Sequence, residues 1–162
     1  EPRVFEGLLA KWIDDGVFEL QSNTLRLGGF KITLSDSQQS ISDIIIGLYI
    51  NAQGTPPEVK EVLSNFPAPV QGEVRQVLSM LLQEGRLLKL SEDIYVSTTE
   101  VERTRELLRR HFSQKTELTV AEFRDLLETT RKYALPLLEY LDSQKITKRF
   151  KDARIAGNNL NP

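Results

Sequence analysis

Apolar residues recur in three stretches of this chain with the spacing of one helix face, and each stretch leads into two short apolar-rich pieces separated by a polar break. With Gly16, Gly85 and Gln144 as a common origin, the position three before holds Ile13, Leu82 and Leu141. The position four before holds Trp12, Leu81 and Tyr140, and the position seven before holds Leu9, Leu78 and Leu137. Such offsets mark one side of an α-helix. A glycine just after the last periodic residue closes a helix with a left-handed cap; Gly16 and Gly85 suit that role, Gln144 less so. The strand-like pieces that follow are residues 17–20 with 25–30, 87–90 with 94–97, and 146–150 with 154–156. Ser22-Asn23, Ser91-Glu92-Asp93 and Lys151-Asp152 supply turn material between them.

What precedes this ending completes the second and third units. Residues 42–49 form an Ile-rich helix, and Pro56-Pro57 starts another with Val59, Val62, Leu63 and Phe66 on one face. In the third unit a charged helix spans about residues 99–114, and Thr119 with Glu122 reads as a capping box opening a helix that contains Phe123, Leu126 and Leu127. Helix, helix, helix, hairpin is the winged helix-turn-helix order. The fold class is therefore mainly α with small β-hairpins (α+β), as tandem winged-helix domains. Residues 1–35 hold only a last helix and wing, residues 36–98 a full winged helix, and residues 99–162 another. The linkers are short and not Gly/Ser-rich, so the units are expected to stack or meet at a bend. The start, Glu1-Pro2-Arg3, has no Met and enters the helical pattern directly, as expected of a piece of a longer protein.

Composition narrows the chemistry. The 162 residues include no Cys, one His and one Met. Cys-based zinc sites, disulfide frameworks and thiolate nucleophiles are thereby excluded, and the lack of cysteine is compatible with the expected cytoplasmic location. No apolar run approaches 18 residues, so no membrane association is expected. No glycine is followed by lysine, which excludes a P-loop, and no G-x-G-x-x-G occurs. His111 stands alone beside Arg109 and Arg110, as a solvated or half-buried side chain does. Asp14-Asp15 and Glu92-Asp93 fall at a helix end and a turn, without a partner base or an oxyanion site. This chain is expected to be no enzyme and to hold no cofactor.

The net charge of −2 averages over unlike parts. Residues 1–35 carry 4 basic and 5 acidic residues, residues 36–98 carry 4 and 8, and residues 99–162 carry 13 and 10. Within the last unit, residues 129–162 hold 7 basic residues against Glu139, Asp142 and Asp152, a net +4. Arg131 and Lys132, behind Thr129 and Thr130, lie at the leading turn of the third helix, the end of a recognition helix that approaches nucleic acid. Pro136 places the start of regular helix near residues 133–135. Lys148, Arg149, Lys151 and Arg154 decorate the wing. Two basic places bracketing one helix suit a surface that tracks a phosphate backbone; a solvated face of a small domain is the plainer alternative. Tyr133 and Tyr140 read as packing residues rather than base-stacking platforms.

The third unit also resembles a known family. The run Thr119-Val120-Ala121-Glu122-Phe123-Arg124-Asp125-Leu126-Leu127, then Arg131-Lys132-Tyr133-Ala134-Leu135-Pro136-Leu137-Leu138-Glu139-Tyr140, then Thr147-Lys148-Arg149 and Asp152-Ala153-Arg154, resembles the last winged helix of the bacterial selenocysteine-specific elongation factors, the SelB family. The resemblance implies a parent GTPase, using GTP and Mg, that carries selenocysteyl-tRNA to the ribosome. Its C-terminal winged helices bind the mRNA hairpin that directs selenocysteine insertion at UGA. Carried onto this chain, the RNA contacts fall among Arg124, Thr129, Thr130, Arg131, Lys132, Lys148, Arg149 and Arg154. Gln144 stands where the family commonly has Gly in the helix-to-strand turn.

The leading expectation is a monomeric RNA-binding module in which acidic residues 36–98 act as a spacer. The alternative is a DNA-binding winged-helix transcriptional regulator, which calls for a dimer or for two basic recognition helices. A third reading is a scaffold that holds partner proteins.

Overall fold

The computed structural model describes residues 2–21, 24–27 and 34–161. They form two compact units, residues 1–35 and 36–162. The first comprises helix α1 (Pro2–Asp14) and an antiparallel hairpin of β1 (Phe18–Gln21) and β2 (Thr24–Leu27), with Phe18 opposite Leu27. Trp12 meets Phe18 with ring centroids 5.9 Å apart. The expected turn at Ser22-Asn23 and strand positions 28–30 lie outside the described residues.

The second unit contains both complete winged helices. In the first of them, α2 (Asp36–Ile50), α3 (Val59–Ser64), a 3-10 turn (Ala68–Val70) and α4 (Gln71–Gln83) precede the hairpin of β3 (Leu87–Lys89) and β4 (Tyr95–Ser97). The second follows without a gap. It runs through α5 (Thr98–Phe112), β5 (Leu118–Thr119), α6 (Val120–Leu126), α7 (Arg131–Ser143) and the hairpin of β6 (Thr147–Phe150) and β7 (Ala153–Ala156). Local chemistry sets several boundaries. Ser97 caps α5 by accepting from the Glu100 amide at 3.2 Å. Thr119 and Glu122 close the expected capping box, the Thr119 amide donating to the Glu122 carboxylate at 2.9 Å. Helix α2 begins six residues before the expected position 42, because Asp36 supplies an acidic first turn that the apolar pattern does not record.

Three further points differ from the sequence expectation. The third wing is three-stranded, in the order β5-β7-β6, because residues 118–119 pair with Ala153 and Arg154. A two-residue strand is too short to show a period. Helix α7 starts at Arg131 and passes through Pro136. Pro136 is its sixth residue, so the helix forgoes only the one bond that residue would have donated to Lys132. Finally, the residue that takes the left-handed turn after α7 is Lys145 (φ +57), not Gln144.

The hydrogen bonds give the register. Gly16, Gly85 and Lys145 donate to Ile13, Leu82 and Asp142, while Val17, Arg86 and Ile146 donate to Trp12, Leu81 and Leu141, at 2.8–3.1 Å throughout. All three helices thus end in the same Schellman closure. Leu141 is equivalent to Leu81 and Trp12, one place on from the sequence alignment, and Lys145 adopts a backbone that costs a non-glycine residue about 1 kcal/mol.

Two buried clusters sit under these elements. One gathers Ile41, Ile45, Tyr49, Val62, Val74, Val77, Leu78, Leu81 and Leu87; the other gathers Val101, Leu108, Leu118, Phe123, Leu127, Leu138, Leu141, Ile146 and Leu160. The β3–β4 hairpin serves both. Successive strand residues point to opposite faces, so Leu87 and Tyr95 enter the first cluster while Leu88, Leu90 and Val96 enter the second. The two winged helices therefore share a hairpin, and the division at 98/99 crosses a continuous apolar seam.

Candidate nucleic-acid interface

Each long helix of the second unit except α7 carries an acidic residue in its first turn: Asp36 in α2, Glu73 in α4 and Glu100 in α5. That is where the helix dipole favours negative charge. Helix α7 has none and opens instead with Arg131 and Lys132, both exposed. Two cations at the positive end of a helix oppose the dipole, an arrangement that an incoming anion relieves. Thr130 is the N-cap, in extended backbone, and its carbonyl accepts from the Tyr133 and Ala134 amides at 3.1 and 3.0 Å.

The basic residues divide into engaged and open ones. Lys132 donates to the Glu58 carboxylate of the preceding winged helix. Its ammonium also lies 5.3 Å from the centroid of the Tyr133 ring. Lys60 binds the same carboxylate at 2.8 Å, and the bonds from Lys132 and then Lys60 hold the Glu58 carboxyl down to about 2. Beside this pair the Thr129 hydroxyl donates to the Gly54 carbonyl at 2.5 Å. Gly54 has φ +89, and a Cβ there would sit 2.5 Å from the Leu127 carbonyl oxygen, so only glycine fits against this turn. Thr129 and Lys132 thus join the two winged helices. Arg124 is half-buried and paired with its neighbour Asp125 at 2.6 Å.

Arg154 does not decorate the wing surface as the sequence suggests. It is 5% exposed and donates through Nε to Asp142 at 3.1 Å, while the Thr147 hydroxyl donates to the other Asp142 oxygen at 2.6 Å. The added edge strand places β7 between β5 and β6, so both of its edges are paired, and Ala153 and Arg154 at its start, on opposite faces, are both buried. Arg154 orders the base of the wing.

The open cations are Arg131, Lys148 and Arg149 from the expected set, with Lys145 and Lys151 beside the wing pair. Among the described residues none of the five enters an ion pair. A groove of about 330 Å³ runs along the wing, lined by Asp142, Lys145, Thr147, Lys148, Arg149, Gly157 and Asn158. The chain after β7 forms one wall, held by bonds from Gly157 to Ile146 and from Asn159 to Lys145, each 2.9 Å, and by Arg109 donating to the Leu160 carbonyl at 3.0 Å. Sequence reading counts Lys145 as charge but gives it no place. Its signal is a lysine where two sister turns have glycine, visible only once the register is right. Among the described residues no group of His, Asp or Glu side chains has the makings of a metal site, and no helix is long and apolar enough to cross a membrane.

Fold and surface together define a tandem winged-helix module with open cations at the start of α7 and on the last wing. Residues 110–156 match the family described as "Elongation factor SelB, winged helix". The chain is 33% identical over 153 residues to the selenocysteine-specific elongation factor of Desulfomicrobium baculatum, a match that covers 94% of the chain and 24% of that relative. Two solved structures share its fold. One is the mRNA-binding domain of elongation factor SelB from E. coli in complex with SECIS RNA, with TM-score 0.62, 23% identity, and 77% of this chain and all of that one covered. The other is a bacterial selenocysteine-specific elongation factor EF-Sec, with TM-score 0.58, 22% identity, and 94% of this chain and 24% of that one covered. The last winged helix belongs to the SelB winged-helix family, and the chain corresponds to a C-terminal winged-helix region of SelB. It spans about a quarter of the length of the curated relative it matches.

Proposed function

We propose that this chain is the mRNA-binding module of a selenocysteine-specific elongation factor. It would grip the hairpin that directs selenocysteine insertion, so that a parent GTPase delivers selenocysteyl-tRNA to the ribosome at UGA codons in the cytoplasm. The carrying observation is the start of α7: two exposed cations stand at a dipole end that favours anions, in a winged helix that matches the SelB family and whose wing carries further open cations. Arg131, Lys148 and Arg149, with Thr130 at the cap, are the residues best placed to hold phosphates. Lys132 joins them if RNA draws it from Glu58, whereas Arg124, Thr129 and Arg154 act by ordering the surface behind them. GTP and its magnesium ion belong to the parent's own catalytic part, and the module works as a monomer.

A-form RNA has a major groove too deep and narrow for a helix to read, so the helix and wing would follow backbone while unpaired bases carry specificity. Mobility shifts with a selenocysteine-insertion hairpin and with duplex DNA of equal length test the reading. The hairpin is expected to bind more tightly; equal affinity would overturn it in favour of a DNA-binding regulator. Arg131→Ala with Arg149→Ala is expected to weaken hairpin binding at least about tenfold. The salt dependence should become shallower by about one unit per lost phosphate contact.

A further inference from the structure

The tip of the third wing carries an aromatic side chain that the packing does not use. Phe150 is 44% exposed and belongs to neither buried cluster. Its cross-strand partner is Ala153, too small to form the aromatic or β-branched pair that stabilises a hairpin. Strand alternation puts Phe150 on the same face of β6 as Lys148, with Arg149 on the other. Lys151, left-handed at φ +53 in the turn, brings its ammonium to 5.3 Å from the centroid of the Phe150 ring. A flat apolar ring is thus set beside two open cations, Lys148 on its own face of the strand and Lys151 in the turn, at the end of a hairpin.

A core role is excluded by exposure, and an apolar docking face would not be flanked by two open lysines. The polymer that matches alternating cation and ring is one that alternates phosphate and aromatic base. We infer that Phe150 stacks on an unpaired base of the RNA bound by this wing, an inference that rests on the RNA-binding reading above. The base comes from a loop, bulge or end, because bases within an A-form stem are stacked on one another and closed to a side chain. The cations Lys148 and Lys151 hold the flanking phosphates. Phe150 then adds affinity without adding charge, and supplies a preference for flexible over paired RNA at one position.

The test uses the full chain and a selenocysteine-insertion hairpin, followed by fluorescence anisotropy across a salt series. Phe150→Ala is expected to weaken binding about 5- to 100-fold with an unchanged salt slope and an unchanged melting temperature. Phe150→Leu, which keeps apolar area but loses the ring face, should bind nearly as weakly, and Phe150→Trp should bind at least as well as the wild type. An abasic substitution at one unpaired position should weaken the wild type by the same factor and leave Phe150→Ala unaffected. Wild-type affinity in Phe150→Ala, full rescue by Phe150→Leu, or a shallower salt slope would each overturn the stacking role, even if the variant lost affinity for a protein partner. Failure of the RNA-binding reading looks different: Arg131→Ala with Arg149→Ala would then match the wild type on the same hairpin.

Discussion

The two complete winged helices end in hairpins of the same construction and opposite use. The first wing reads Leu87-Leu88-Lys89-Leu90 and is apolar on both faces; one face closes its own core and the other enters the next. Its one cation, Lys89, is held by Glu92 at 2.9 Å. The second wing reads Thr147-Lys148-Arg149-Phe150, and everything after Thr147 faces solvent. A hairpin hung on a helix is therefore a neutral device. Apolar residues on both of its faces make it a joint, and a buried anchor with open cations beyond makes it an arm toward a polyanion.

The largest effect should come from placing a charge on the wing that acts as a joint. Val96 is 3% exposed, and Val96→Asp buries a carboxylate in the shared seam, with an expected loss of about 4 kcal/mol or more in urea unfolding. The matching change on the open wing, Phe150→Asp, should leave stability within about 0.5 kcal/mol. Equal losses would dissolve the contrast between the wings. Next in size is the anchor of the open wing. Asp142→Ala strands the buried Arg154 charge and frees the Thr147 hydroxyl, for an expected loss of about 3 kcal/mol and weaker RNA binding through a disordered wing base. Mobility shift at a temperature where the variant is still folded would separate the two.

A smaller effect attends the turn. Lys145→Gly removes the left-handed strain that Gly85 avoids in the sister turn, so thermal melting should show a gain of up to about 1 kcal/mol. If Lys145 touches phosphate, the same variant should bind RNA more weakly while being more stable. The smallest effect is the pH dependence of the Glu58 contact. Folding holds the Glu58 carboxyl down to about 2, well below the ordinary carboxylate range, through its bonds to Lys132 and Lys60. A depressed carboxyl stabilises the fold above its unfolded value and loses that contribution as pH falls from about 5 toward 2. Glu122, lowered to about 2 chiefly by Lys115, titrates in the same direction. Glu58→Gln should flatten the stability profile over that window relative to wild type, leaving the Glu122 part in place.

Much of this was legible in the residues. The helix faces of α1, α4 and α7, the Thr119–Glu122 capping box and the concentration of basic residues after position 129 are local features, set by side-chain period and charge. The register of the third repeat is ambiguous by one in the residues, because Leu137-Leu138 and Tyr140-Leu141 offer two apolar pairs at helical spacing and only the Schellman bonds choose between them. Strand β5 leaves no mark in the sequence because two residues carry no period. Phe150 looks like an ordinary strand residue in the sequence, which does not say which face of a hairpin has a core behind it.

The chain by itself determined the repeating helix-and-hairpin units and the separation of acidic from basic segments, because both follow from residues near one another in sequence. Only the tertiary structure decided which cations are open. Lys132 meets Glu58 across 74 positions and Arg154 meets Asp142 across 12. Arg131, Lys148 and Arg149 find no carboxylate among the described residues. Charge is written in the sequence, but its neutralisation depends on what folding brings within about 4 Å, where an ion pair has a measurable energy.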